Sequence, residues 1–76
     1  MNNMFTEDSI KYIISRLVEN AYDATKESKE DKNNLFAAGR KVAYYEMLDI
    51  LKSELSVREQ DLKEFGIDID LEKSIA

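Results

Sequence analysis

Two pairs of carboxylates at helical spacing are the residues of this chain best suited to chemistry. Glu27 and Glu30 form an ExxE pair, and Glu46 and Asp49 form an ExxD pair further along. Residues three positions apart share one face of a helix, so each pair can offer oxygen ligands to a hard cation such as Mg²⁺. The spacing therefore raises the hypothesis of metal-assisted hydrolysis.

This arrangement of four acids resembles the ExxE…ExxD signature of the all-α nucleotide pyrophosphohydrolases of the MazG and dimeric dUTPase type. The resemblance implies that the four carboxylates bind Mg²⁺ and that a nucleoside triphosphate loses pyrophosphate. It rests on these four positions in a chain that contains sixteen Asp and Glu residues. A magnesium-dependent hydrolase is accordingly one alternative for the function.

The rest of the composition favours a protein that is not an enzyme. The chain has no His and no Cys, so it lacks the most common general base and the most readily activated nucleophile. Disulfides and metal sites built on His or Cys are excluded for the same reason. No glycine-rich loop is present to hold a phosphate. We therefore predict no cofactor, no metal site and no catalytic residue.

Length and charge narrow the class of partner. Seventy-six residues predict a single small domain spanning 1–76, and the formal net charge of -5 argues against direct binding to a nucleic-acid backbone. No segment has the pattern of a signal peptide or a bilayer-spanning run, so the expected compartment is the cytoplasm, and the composition is compatible with a bacterial source. The acidic balance also suggests an alternative role as an inhibitor, such as an immunity protein, an antitoxin or a nucleic-acid mimic.

The first half of the chain predicts a long amphipathic helix over about 6–29. Thr6 is placed to cap it, and the acids that follow suit the positive end of the helix dipole. Residues 26–34 are nearly all polar and predict a turn, with Asp31 or one of the two asparagines capping the next helix. The apolar positions recur at helical spacing along one side. They are Ile10, Ile13, Ile14, Leu17, Val18, Ala21 and Ala24.

A second helix is predicted over about 35–55, and it is apolar nearly all round, which indicates burial on more than one side. One neighbour is the first helix, folded back as a hairpin, and something else must cover the second face. One apolar group comprises Phe36, Ala43, Met47, Ile50 and Leu51, extended by Tyr44, Leu48 and Leu55, and the opposite group comprises Leu35, Ala38, Val42 and Tyr45.

The C-terminal part predicts a short third helix and a tail. Ser56 and Glu59 match a capping box, which places the helix at about 57–65, with Gly66 ending it. The tail, 67–76, alternates apolar and acidic residues, including Asp68, Asp70 and Glu72. We expect these acids to lie along one edge and to face solvent. We expect the tail either to lie along the hairpin or to form a final helical turn capped by Asp70.

The second helix also carries the candidate interface. Gly39 and Ala43 lie one turn apart, and small residues at that spacing allow two helices to approach closely. Arg40 breaks the apolar face, with Glu19 or Asp23 of the first helix as its expected partners. The adjacent residues Tyr44 and Tyr45 point about 100° apart, so one can pack within the hairpin and the other can contact a second surface. The predicted interface residues are Gly39, Arg40, Ala43, Tyr44, Tyr45 and Met47.

The predicted fold is all-α, an antiparallel helical hairpin plus a short third helix, with two copies pairing through their second helices into a four-helix dimer. In the monomeric alternative, the C-terminal segment covers the second face, and Leu62, Phe65, Ile67 and Ile69 are apolar enough for that. The favoured function is a non-enzymatic adaptor or regulatory subunit. Its expected partners are itself, as a homodimer, and another protein, without direct contact to nucleic acid or membrane.

Overall fold

The structure, a computed structural model, describes residues 6–75 and is all-helical over that range. Two long helices, α1 (Glu7–Glu30) and α2 (Leu35–Val57), are followed by the short helix α3 (Leu71–Ser74). The molecule measures 46 × 25 × 15 Å, because the two long helices set its length. None of the helices in the described part of the chain is long and apolar enough to cross a membrane.

Side-chain caps begin both long helices. The Thr6 hydroxyl accepts a hydrogen bond from the Ser9 amide at 3.1 Å, and the Asn34 side chain accepts one from the Ala37 amide at 3.0 Å. Each cap satisfies an amide that has no partner inside its helix. The two predicted helix starts are therefore confirmed, with Asn34 as the residue that caps α2.

A tight turn between α1 and α2 makes the pair an antiparallel hairpin. Asp31 ends α1, and its carboxylate accepts a hydrogen bond from the Asn33 amide at 3.0 Å. The Asn34 amide in turn donates to the Asp31 carbonyl at 3.0 Å. A connection this short forces the second helix to run back along the first.

The core lies where the C-terminal segment, residues 58–75, packs against both long helices. Within it, α1 also buries Thr25, whose hydroxyl donates to the Ala21 carbonyl at 2.8 Å. The Lys52 ammonium of α2 donates to the Ile69 carbonyl at 2.6 Å, which ties the segment to the hairpin. The buried cluster consists of Ile14, Ala21, Leu48, Phe65, Ile67, Leu71 and Ile75.

The short third helix is present, but it lies at a different place from the prediction. Val57 is the last residue of α2, residues 58–65 contain turns but no helix, and the short helix is Leu71–Ser74, within the segment expected to be a tail. The Asp70 carboxylate caps it by accepting a hydrogen bond from the Lys73 amide at 3.3 Å. The alternative of a final helical turn capped by Asp70 is thus confirmed.

The predicted capping box is wrong because Ser56 belongs to the last turn of α2 and does not start a new helix. The Glu59 amide donates to the Ser56 carbonyl at 3.0 Å, and the Gln60 amide donates to the Leu55 carbonyl at 2.9 Å. These two bonds, with Glu59 at a φ of 58°, form the Schellman arrangement that ends a helix. Glycine usually occupies the left-handed position, and here a glutamate does.

A second left-handed residue closes the turn before the core segment. Gly66 has a φ of 76°, its amide donates to the Lys63 carbonyl at 3.1 Å, and the Ile67 amide donates to the Leu62 carbonyl at 3.0 Å. The Asp61 carboxylate accepts from the Lys63 amide at 3.0 Å and so holds the start of the turn. The turn directs Ile67 into the core.

These two left-handed positions provide opposite tests of the backbone. Glu59→Gly should raise the free energy of unfolding by about 1 kcal/mol, because a side chain in this conformation costs about 1–2 kcal/mol. Gly66→Ala should lower it by about 1 kcal/mol for the same reason, since apart from its chain neighbours the added Cβ meets no described atom within 4 Å and only the backbone conformation is strained. Urea denaturation of both variants checks the pair, and shifts of the same sign would contradict the assignment.

Candidate interaction surface

One side of α2 faces away from α1 and from the C-terminal segment, and it carries apolar residues. The inner side is fixed by buried Leu48 and by half-buried Tyr44, Leu51 and Leu55, which pack on the core cluster. About 120° around the helix, at 100° per residue, lies an exposed apolar stripe. We define the outer face of α2 as Phe36, Gly39, Ala43, Met47, Ile50 and Val57, all of which are exposed. Val57, the last residue of the helix, also borders the groove between α2 and the C-terminal segment.

The outer face has a seven-residue repeat. Phe36, Ala43, Ile50 and Val57 are each seven positions apart, and this spacing keeps a narrow seam aligned with a partner helix. The exposed fraction is 76% for Phe36, 41% for Met47, 62% for Ile50 and 77% for Val57. From the area of large side chains, these four expose on the order of 500 Å². This area lies within the range of the largest apolar patch on a typical monomer, and such patches are often functional.

Three of the six predicted interface residues lie on the outer face, namely Gly39, Ala43 and Met47. Gly39 is not needed for packing between α1 and α2, since a Cβ built on it meets no described atom within 4 Å apart from its chain neighbours and the backbone of its own helix. A glycine inside a helix costs about 1 kcal/mol relative to alanine. Nothing within the described chain offsets that cost.

Arg40 lies at the edge of the outer face and is half-buried. Its guanidinium donates to the Glu27 carboxylate at 2.7 Å, and it stands 5.8 Å from the centre of the Tyr44 ring. The predicted partners, Glu19 and Asp23, are therefore wrong, because they lie two turns and one turn of α1 before Glu27. The turn after α1 is tight, so Arg40 lies opposite the last turns of that helix.

The two adjacent tyrosines both pack against the core cluster and do not project from the outer face. Tyr44 belongs to the inner side of α2, and its ring lies beside the Arg40 guanidinium. Tyr45 lines a groove of about 500 Å³ between α2 and the C-terminal segment. Partial burial there, together with the carboxylates of Glu72, Asp49 and Asp70, raises the pKa of the Tyr45 phenol.

The four carboxylates at ExxE…ExxD spacing do not form a metal-binding cluster in residues 6–75. Glu27 is bound to Arg40, and Glu30 is the last residue of α1. Glu46 and Asp49 are exposed on α2, with Asp49 at the groove beside Tyr45. The geometry therefore adds no support for magnesium binding at these positions.

Sequence reasoning missed Val57 and placed residues of two different faces in one group. Leu48, Leu51 and Leu55 belong to the inner side, whereas Ile50 and Val57 belong to the outer face. Both groups contain residues seven positions apart, so spacing alone does not separate the two faces, and the contacts with the core cluster do.

The chain has no counterpart among the proteins with which it was compared. It matches no protein-family model, no curated protein and no solved structure. The functional proposal below therefore rests on the geometry of the described residues.

The raised pKa of Tyr45 has a consequence for stability at high pH. The unfolded phenol has an ordinary pKa of about 10, so above that pH the unfolded state loses its proton more readily than the folded state. Stability contributed by neutral Tyr45 is present below pH 10 and falls as the pH rises through the folded pKa. Urea denaturation at pH 8 and at pH 11 should show a smaller loss in Tyr45→Phe than in the wild type.

The matched control is Tyr22→Phe on α1, which removes a half-exposed tyrosine far along the chain from this groove. It should retain the wild-type loss of stability. Equal losses in the wild type and in Tyr45→Phe would contradict the role of the groove.

Proposed function

We propose that this protein is a non-enzymatic interaction protein that acts through the outer face of α2. The observation that carries the proposal is the exposed seven-residue repeat on a helix whose opposite side is fully used by the core. Folding does not require Phe36, Ile50 or Val57 to be apolar, because they contact little within the described chain. An apolar seam of this kind suits the apolar face of another helix.

The partner that we propose for the outer face of α2 is a second copy of this chain, so that the protein is a homodimer. The outer face and the inner side are separated by about 120° around α2. The four helices of the dimer would therefore form a shallow row, with the two α2 helices central and each α1 outside. The C-terminal segments would remain on their own hairpins, where their side chains already complete each core.

The size of the surface is consistent with a stable pair. A standard interface buries about 800 Å² on each partner. The large side chains of the outer face supply on the order of 500 Å² of apolar area, and Leu35 and Val42 are exposed beside them. The polar groups along the edges of the face, which include Arg40 and Glu46, would form the rim.

Polar substitutions on the outer face should abolish pairing without unfolding the chain. We expect the wild type to approach twice 8.8 kDa and the Phe36→Ser, Ile50→Ser variant to remain near 8.8 kDa. Light scattering behind size exclusion, over a wide range of concentrations, measures both masses. Tyr12→Ser is the control, because Tyr12 is also exposed, at 62%, but lies on α1.

The control should dimerise like the wild type, and circular dichroism should show the same helix content in all three proteins. A wild type that stays monomeric at every concentration would contradict the homodimer. Dimerisation of the doubly substituted variant would contradict the outer face as the interface.

Gly39→Ala separates folding from association. An alanine at this exposed helical position should raise the free energy of unfolding of the isolated chain by about 1 kcal/mol. The added methyl group should weaken the dimer if a second helix passes close to Gly39. Chemical denaturation at low concentration and dissociation by analytical ultracentrifugation measure the two effects. A variant that is more stable and equally dimeric would place Gly39 outside the contact.

A further inference from the structure

We infer that the second copy lies antiparallel across the outer face, on a twofold axis that passes α2 between Glu46 and Met47. This inference rests on the proposed homodimer and specifies its geometry. The charges of α2 and the sizes of the side chains on the outer face carry it.

The two halves of α2 have opposite charge. Residues 35–45 carry a formal charge of +2, and residues 46–57 carry -2. The charged residues are Arg40 and Lys41 in the first half, and Glu46, Asp49, Lys52 and Glu54 in the second. Of these charged residues, Arg40, Glu46 and Glu54 lie on or beside the outer face at 100° per residue, and an antiparallel pair brings the basic one near an acidic one of the second copy.

This charge order is the reverse of what an isolated helix favours. The first turn of α2 has no acidic residue, and its last turn has no basic residue, although acids stabilise a helix N-terminus and bases its C-terminus. By contrast, α1 begins with Glu7 and Asp8 and has Lys29 in its last turn. An antiparallel neighbour would bring acids to the N-terminal half of α2 and bases to its C-terminal half, and so would correct the polarity.

Side-chain sizes fit the same register. With the axis between Glu46 and Met47, Phe36 of one copy stands opposite Val57 of the second copy. Ala43 stands opposite Ile50 of the second copy, and a small residue facing a large one allows the helices to interdigitate. The whole apolar stripe is covered in this register.

The ionic groups on and beside the stripe also match. Arg40, held in place by Glu27, comes to within one residue of the level of Glu54 of the second copy. Arg40 lies at the edge of the stripe, and Glu54 lies within it, five helical turns from Phe36. A parallel pair would instead set Glu54 against Glu54, and like charges that face each other oppose association, whereas Glu46 lies near its own copy in both orientations.

The absence of native cysteine makes the orientation directly measurable. Two single-cysteine variants suffice, Glu46→Cys beside the axis and Glu54→Cys away from it, both at exposed positions. In the antiparallel register the two copies of position 54 are about 22 Å apart along the helices, which is too far for a disulfide. The copies of position 46 lie side by side.

The proteins are oxidised at a concentration where the wild type is dimeric, and non-reducing gels report the cross-linked fraction. We expect Glu46→Cys to cross-link and Glu54→Cys to remain uncross-linked while still dimeric by mass. Efficient cross-linking of Glu54→Cys would overturn the antiparallel register and leave the proposed homodimer intact. Failure of both variants to pair, by mass and by gel, would instead contradict the homodimer itself. Circular dichroism confirms that each variant is folded.

Discussion

Two helices that cross in a hairpin meet along one line and enclose little volume, and this geometric constraint shapes the whole molecule. The side chains of Phe65, Ile67, Leu71 and Ile75 supply the missing layer by packing with α1 and α2. Their position determines which side of α2 becomes the inner side. The groove beside Tyr45 and the exposure of the outer face both follow from that choice, because a segment of this length can cover only one side of a 23-residue helix.

Local signals were sufficient for the long helices and insufficient for the region after them. Thr6 and Asn34 are capping residues whose partners lie three positions away, so the sequence contains the whole interaction. The pattern of Ser56 and Glu59 is also local, but it can begin a helix or occur at the end of one. Here the backbone takes a left-handed residue at Glu59, which is an unfavourable choice for glutamate that the sequence does not signal.

The candidate surface was partly predictable for a related reason. An apolar helix with no single polar side indicates two neighbours, and the need to cover a second face follows from the residue types alone. The division between Ile50 on one face and Leu51 on the other depends on where α1 and the C-terminal segment lie. The pairing of Arg40 with Glu27 similarly depends on the length of the turn between the helices. Covering of the outer face by a second chain depends on two molecules. A single sequence indicates such a contact only through the charges and the spacing of its residues.

The route by which the core is completed has a consequence for the order of folding. Contacts between α1 and α2 form across a short turn, whereas the Thr25 hydroxyl donates to the Ile75 carbonyl at 3.4 Å across a separation of 50 residues. Non-local contacts are the slower ones to form, because more of the chain must be ordered first. The hairpin should therefore assemble early, and the C-terminal segment should dock last and detach first. A chain caught before that docking would expose apolar surface on both sides of α2, so the lifetime of this intermediate would govern how readily the protein aggregates while it folds.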